Sequence, residues 1–400
     1  MNMTKEVVQE VIQNEKINIF FQPIYSLNTR KIIGIEALAR GIHEDKVISP
    51  YTLFEYSKKS GDALMLDRLC RKKAMKEFSA GSLAPTLYLN FETSVLNNIR
   101  LENGEILKNA REHGIEPNNI VIELNESKVN DIYNLLMFVD YYRNNNFLIA
   151  LDNVTSGPDT LDRIMLVNPD IIKIDRAIIS NIGSNKYSQE ILKGIISTAK
   201  EIGALTVAEG VETADEVINC MILGVDYFQG FYFSKPDHFN YLFTNEARLK
   251  MNNAAQRLNL NIKKNETVQN VELESYRRII YDLVLRLSTT DDTNYNEELL
   301  SYVAEHKEIE CAFVINSDGF QITNTVMLPG QSVSGDYFPA LCGDNHGVKN
   351  YFYAVKEKIE DPFISGWYIS NATGNYCKTI SSGFYNKGGK LLVACVDLKK

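Results

Sequence analysis

The chain has 400 residues, enough for two or three domains with a sizeable buried core, which excludes a mini-protein or peptide. Its 42 Lys and Arg stand against 51 Asp and Glu, a formal charge of −9, so it lacks the basic balance of a general duplex nucleic-acid binder and must hold any anionic ligand locally. Apolar residues at 44% and charged residues at 23% are ordinary globular usage and exclude wholesale disorder or a coiled-coil rod.

Residues 1–16 are polar and hold no apolar run of signal-peptide type. Nowhere later does an uncharged apolar run approach the roughly 20 residues of a membrane helix. The expectation is a cytoplasmic protein without membrane insertion. Short apolar runs then recur at residues 17–25, 31–38, 86–91, 120–124, 147–151, 170–174, 205–208 and 227–233, eight candidate strands. The first two are joined by Ser26-Leu27-Asn28-Thr29-Arg30, too short for a crossover helix, and so form an antiparallel hairpin. The later ones alternate with helix-length segments at 53–78, 131–144, 188–202 and 214–223, which suit right-handed βα units. The fold class that results is α/β, a modified TIM-type (β/α)8 barrel whose first strand is antiparallel.

The runs end in Glu36, Asn90, Glu123, Asp152, Lys173 with Asp175, Glu209 with Glu212, and Gln229. In such a barrel the C-terminal strand ends converge on one face, so these residues meet around a single opening. A lone strand-end carboxylate would only cap a helix or face solvent; several ending one barrel point to a shared site. The five histidines form no HExxH-like pair, and the six cysteines, Cys70, Cys220, Cys311, Cys342, Cys377 and Cys395, form no CxxC pair, so any chemistry must run on carboxylates.

Past residue 245 the chain turns polar over 252–270, and then Leu273, Tyr276, Ile280, Leu283 and Leu287 recur at alternating spacings of three and four. That stripe is a dimer seam, a docking face or the packing face of its own domain. Runs at 309–315, 320–326, 366–371, 376–381 and 390–398, with the turns Asn316-Ser317-Asp318-Gly319, Ala372-Thr373-Gly374-Asn375 and Asn386-Lys387-Gly388-Gly389, describe a smaller α+β sheet domain of PAS-like architecture. Trp367, Tyr368, Tyr376 and Phe384 either line a pocket there or build its core. The expected division is a barrel over 1–245, a helical linker over 246–290 and a PAS-like sensory domain over 291–400.

Glu36-Ala37-Leu38-Ala39-Arg40, preceded by Phe21-Gln22-Pro23-Ile24, resembles the signature of the EAL family of cyclic-di-GMP phosphodiesterases. The later motifs agree in order: Leu89-Asn90, Glu123-Leu124-Asn125-Glu126, Asp152, Lys173-Ile174-Asp175, Ala208-Glu209-Gly210-Val211-Glu212 and Phe228-Gln229-Gly230. The resemblance implies metal-dependent hydrolysis of cyclic-di-GMP to the linear dinucleotide pGpG. Two hard cations would neutralise charge on the phosphoryl oxygens and supply a nucleophile near neutral pH, and oxygen ligands suit them. By analogy Glu36, Asn90, Glu123 and Asp152 would hold one Mg²⁺ or Mn²⁺, with Asp152 bridging and Glu209 helping to hold a second; Ca²⁺ would bind without turnover. Lys173 would orient the attacking water or act as its base, with Glu36 and Glu209 as its catalytic partners; a plain salt bridge to the carboxylates is the alternative. Gln22, Leu38, Arg40, Asp175, Glu212 and Gln229 would bind the nucleotide, and Glu126 would anchor the loop after the fifth strand.

That loop departs from the family. Active members carry two adjacent aspartates before a Phe-Gly-containing loop, whereas this chain has Asp152-Asn153-Val154-Thr155-Ser156-Gly157-Pro158-Asp159. Asn153 keeps a carbonyl oxygen that can ligate a metal but removes one negative charge from the second site, so binding would survive while turnover is slow or absent. The alternatives are a competent phosphodiesterase regulated by its C-terminal domain, and an interaction module that binds a protein and no nucleotide. A glycosidase using Glu123 and Glu209 fits the fold but leaves the other oxygen ligands unexplained. A homodimer and an unidentified small molecule or protein at the C-terminal domain complete the expected partners; duplex nucleic acid is excluded.

Overall fold

The computed structural model describes residues 4–399 except 45, 82–84, 97–103, 126–130, 158, 240–244, 329–337 and 360, with backbone alone at 259, 261–270 and 357. Two compact units emerge, Met1–Ile262 and Lys263–Lys400.

The first unit opens with α1 (Lys5–Gln13) and the hairpin β1 (Ile17–Ser26) and β2 (Lys31–His43), extended by the short β3 (Lys46–Ile48). Next come α2 (Pro50–Ser60), α3 (Ala63–Ser79) and β4 (Thr86–Phe91). The alternating units follow: α4 (Glu105–Glu112), β5 (Ile120–Leu124), α5 (Ile132–Asn144), β6 (Leu148–Val154), α6 (Thr160–Val167) and β7 (Ile171–Ile174). Then α7 (Arg176–Ile179), α8 (Lys186–Ile202), β8 (Leu205–Ala208), α9 (Ala214–Leu223) and β9 (Tyr227–Phe228) complete the unit's sheet.

Strands β2 and β4 to β9 pair in parallel sequence, and β1 closes the ring by running antiparallel to both β2 and β9. The result is an eight-stranded closed barrel with an inverted first strand, as the short first connection requires. Every residue of β5 and β7 is buried, which explains their continuous apolar character: strands of a parallel barrel are covered on both faces.

Several boundaries differ from expectation for local reasons. The helical stretch anticipated over 53–78 is two helices, because Gly61 adopts φ +86° and ends α2 in a left-handed cap. The last barrel strand stops at Phe228 and does not run to 233, since Gly230 passes so close to the Val211 backbone that a Cβ would not fit.

Helix α10 (Asn245–Thr289) begins in the first unit and ends in the second. The second unit continues with α11 (Tyr295–Glu305), β10 (Ile309–Asn316), α12 (Asn350–Glu357), β11 (Phe363–Ile364), β12 (Tyr368–Ile369), β13 (Tyr376–Tyr385) and β14 (Leu391–Lys399). The strands form an antiparallel sheet in the order β10-β14-β13-β11, with β12 also on β13. The strand expected over 320–326 makes only isolated bridges, Gln321 to Ile315, Val326 to Ala312 and Phe320 to Asn345. The Thr323 hydroxyl takes the Val314 N–H at 3.0 Å, a side-chain bond in place of one rung of the backbone ladder.

Ile280, Leu283 and Leu287 are fully buried against Leu299, Tyr302, Val303 and one face of this sheet. The amphipathic stripe therefore serves mainly as a packing face of its own unit, and these three residues are withdrawn from any dimer seam. Leu283→Ala should lower stability by about 2–5 kcal/mol through the cavity it leaves, read as a lower urea midpoint for loss of near-ultraviolet dichroism.

Candidate functional site

The β1–β2 register sets Gln22 directly across from Glu36, and the parallel pairings place Asn90 beside Glu123. Asp152 is aimed by a register break between Leu151 and Val154, where Asn153 takes φ +57°. Asparagine and aspartate tolerate that left-handed conformation best among non-glycine residues, so the irregularity suits either. Lys173, in the middle of the all-buried β7, extends into the barrel's interior with no exposed surface.

Its ammonium gathers the site. Lys173 Nζ lies 2.5 Å from Glu123 Oε1, 2.7 Å from Glu209 Oε1, 3.2 Å from Glu36 Oε2 and 3.7 Å from Asp152 Oδ1. Gln229 Nε2 donates to Glu36 Oε2 at 2.7 Å and to Gln22 Oε1 at 3.3 Å, while Asn90 Nδ2 donates to Glu36 Oε1 at 2.7 Å. Gln22 in turn donates to the Ser234 carbonyl at 3.2 Å. Seven of the strand-end residues singled out in the sequence, Glu36, Asn90, Glu123, Asp152, Lys173, Glu209 and Gln229, thus form one connected cluster with Gln22.

Burial pushes each carboxyl toward its neutral form. For Glu36 the nearby Lys173 ammonium and the Gln229 and Asn90 amides outweigh burial and hold it below the usual range. Glu123 is held well above that range by burial and by Glu36, Asp152 is raised by burial, and burial takes Glu209 up to about 8. Burial alone would lower Lys173, but Glu123, Glu209, Glu36 and Asp152 together keep it protonated well past its ordinary value. Four carboxylates against one ammonium would carry −4 + 1 = −3 if all were ionised. Glu123 Oε2 is buried with no hydrogen-bond partner. An all-oxygen donor set, a charge deficit and an orphaned carboxylate oxygen fit hard divalent cations.

Beside the cluster lies a cavity of about 400 Å³ whose wall includes Glu36, Leu38, Asn90, Asp152 and Asn153 together with Tyr51 and Phe54. Leu38 thus stands in that wall. Arg40 is not part of this wall; its guanidinium donates to the Ala39 carbonyl at 2.8 Å. Asp175 caps α7 by accepting from Ala177 N at 2.7 Å, and Glu212 pairs with Arg176 at 2.8 Å, so neither touches the carboxylate cluster. Glu126 and Pro158 lie outside the described residues. Sequence reasoning missed a buried ion pair in the same wall, Asp67 with Arg71, whose guanidinium stacks 4.9 Å over the Phe91 ring. Its only trace in the sequence is one acid and one base four residues apart on a helix.

The fold and the carboxylate cluster define a β/α barrel with a buried, oxygen-rich site at its strand ends, and residues 5–236 match the EAL domain model. The chain belongs to the EAL domain family. It is similar to the EAL-domain containing protein YkuI of Bacillus subtilis (strain 168), 26% identical over 388 residues that cover 90% of each chain. It is also similar to the probable cyclic di-GMP phosphodiesterase PdeB of Escherichia coli (strain K12), 28% identical over 233 residues, 57% of this chain and 44% of that one. The crystal structure of YkuI in complex with c-di-GMP and calcium superposes with a TM-score of 0.80 at 22% identity, covering 98% of this chain and 99% of that one. An EAL domain protein from Listeria monocytogenes EGD-e shares the barrel, with a TM-score of 0.53 over 60% of this chain and 96% of that one at 20% identity. No helix among the described residues is long and apolar enough to cross a membrane.

Replacing Lys173 by Met should destabilise the metal-free protein by about 3–5 kcal/mol, because it strips the buried carboxylates of their shared cation. The expected readout is a lower thermal midpoint in chelator, with a larger rise on adding Mg²⁺ or Mn²⁺ than the unaltered chain shows.

Proposed function

We propose that this chain is a cyclic-di-GMP-binding signalling protein in which metal-dependent hydrolysis to pGpG is slow or absent. The observation that supports this reading is the gathering of Glu36, Glu123, Asp152 and Glu209 on one buried ammonium, with a carboxylate oxygen left unpartnered. A site of that charge repels a phosphodiester unless cations neutralise it. Glu36, Asn90, Glu123 and Asp152 would hold one Mg²⁺ or Mn²⁺; Asp152, Glu209 and the Asn153 carbonyl would hold a second, and Ca²⁺ would be accepted without turnover. Bound there, the ions supply neutralisation of phosphoryl oxygens and acidification of a water.

The chain's own groups do the rest. Lys173 holds and orients the attacking water. Gln229 and Asn90 lock the Glu36 carboxylate in one rotamer, so its oxygens need no reorganisation when the nucleotide arrives. Leu38, Tyr51 and Phe54 offer an apolar wall for a purine face. Gln22, Arg40, Asp175, Glu212 and Gln229 provide donors and acceptors for the base edges and the ribose-phosphate backbone, with Arg40 turning from the Ala39 carbonyl onto a phosphate. Asn153 adds an oxygen but no charge, which leaves the second metal with less anionic help than an aspartate gives. Residues 246–290 and 291–400 would serve as linker and PAS-like sensory domain. A homodimer that met through α10 would have to use its exposed residues such as Leu285, since Ile280, Leu283 and Leu287 are spent internally.

The test is metal-dependent turnover with binding measured on the same sample. The unaltered chain should bind cyclic-di-GMP with Mg²⁺, Mn²⁺ or Ca²⁺ and release little pGpG, and Asn153→Asp should raise kcat by about tenfold or more with little change in binding. Rapid hydrolysis by the unaltered chain would make it a competent phosphodiesterase. Absence of nucleotide binding under every metal condition would leave an interaction module.

A further inference from the structure

The second unit contains a cavity of about 1030 Å³ that lies outside the barrel chemistry. Its origin is the two-residue alternation of β14 and β10. Leu392, Ala394, Val396 and Leu398 face the core shared with α10 and α11, as do Ala312 and Val314. Val393 and Cys395, with Phe313 and Ile315, face the other way and pack under α12. Asp397 continues that second face where an apolar residue is due, and it lines the cavity with only 4% of its surface exposed.

Its surroundings are neutral. Asp397 Oδ1 accepts from the Thr379 hydroxyl at 2.7 Å and the Tyr368 hydroxyl at 3.4 Å, and Oδ2 accepts from Ser370 at 3.3 Å and the Cys311 thiol at 3.5 Å. Among the described residues no Lys, Arg or His forms an ion pair with it. Burial raises its carboxyl above the usual range, as an uncompensated charge demands. His346, 7% exposed in the same wall, binds the Tyr351 hydroxyl through Nδ1 at 2.7 Å and stacks on Phe313 at 5.3 Å, while its Nε2 has no partner. Burial keeps that imidazole neutral, so it offers no countercharge to the acid. At the rim Asp344 and Lys349 contribute one charge of each sign, and Phe338 and Val348 present exposed apolar surface.

We propose that this cavity binds a small organic monoamine, with its protonated nitrogen on Asp397 and its apolar body against Phe313, Tyr351 and Tyr368. A buried carboxylate ringed only by neutral donors gains most from a cation, the aromatic rings stabilise that cation further, and an apolar body suits the walls and mouth. The cavity has the volume of a small-molecule site. The unpartnered His346 Nε2 supplies a second polar point to fix the body's orientation.

The experiment is calorimetry on the full chain with matched probes: 2-phenylethylamine, 2-phenylethanol and phenylacetate, and hexylamine, hexanol and hexanoate. At least one amine should bind saturably and about tenfold or more tighter than its alcohol, with the carboxylate weakest. Asp397→Asn should abolish the preference of amine over alcohol. Val348→Arg, at a cavity-wall position that is 91% exposed, should weaken the amine and spare the alcohol whether or not the Asp397 variant folds. Equal binding of amine and alcohol, no saturable amine binding at millimolar concentration, or a preference that survives either substitution would overturn the proposal; the last would move amine binding to another site such as the barrel carboxylates.

Discussion

One lysine determines how the barrel's interior is organised. Gathering four carboxylates within a few ångström is unfavourable by both mutual repulsion and desolvation, and a hydrophobic barrel would be more stable without them. Lys173 makes the arrangement tolerable by standing among all four, and β7 can hold it there because the strand is apolar and buried on both sides. The Gln229 and Asn90 amides complete the balance on Glu36. The cluster is therefore a store of acceptor oxygens kept in place by a cation that is itself replaceable in charge. Its oxygens are thereby fixed in position while their ionisation is deferred.

Much of this was legible in the sequence because the barrel converts distance along the chain into proximity. Short apolar runs identified all eight barrel strands, and the residues at their ends fell together once the strands closed. The hairpin between β1 and β2 followed from the shortness of its connection. Elements governed by one residue's conformation or one close contact were not legible. Gly61 breaking α2 from α3 looks in sequence like a tolerated helical glycine, and the abrupt end of β9 depends on how closely Gly230 passes Val211. The absent strand at 320–326 reflects a Thr323 hydroxyl winning a backbone N–H. The helical stripe at Ile280, Leu283 and Leu287 has the same spacing whether it meets its own sheet or another chain, and only the fold decides.

The site shows the same division. Residue types and chain order brought out the metal-type oxygens, but their roles in ligand contact depended on geometry. Asp175 and Glu212 are occupied in local structure, one capping α7 and the other pairing with Arg176, while Leu38 stands in the cavity wall. Asp67 and Arg71 entered that wall unannounced, because an acid and a base one helical turn apart ordinarily mark a solvated face. Asp397 was hidden for a related reason: an acid in the alternation of a strand suggests its outward face, and here that face looks into a cavity.

The barrel is sealed unevenly. Between β1 and β9 a single residue pair, Tyr25 with Phe228, completes the ring, helped by the bridge from Phe21 to Asp237, whereas β1 and β2 are zipped over their whole length. Gln229 follows that sparse seam immediately and reaches from β9 to Gln22 on β1 and Glu36 on β2. That polar network is thus also a latch across the β1–β9 seam. Order at the mouth and closure of the cylinder thus rest on the same few hydrogen bonds, and loosening one loosens the other.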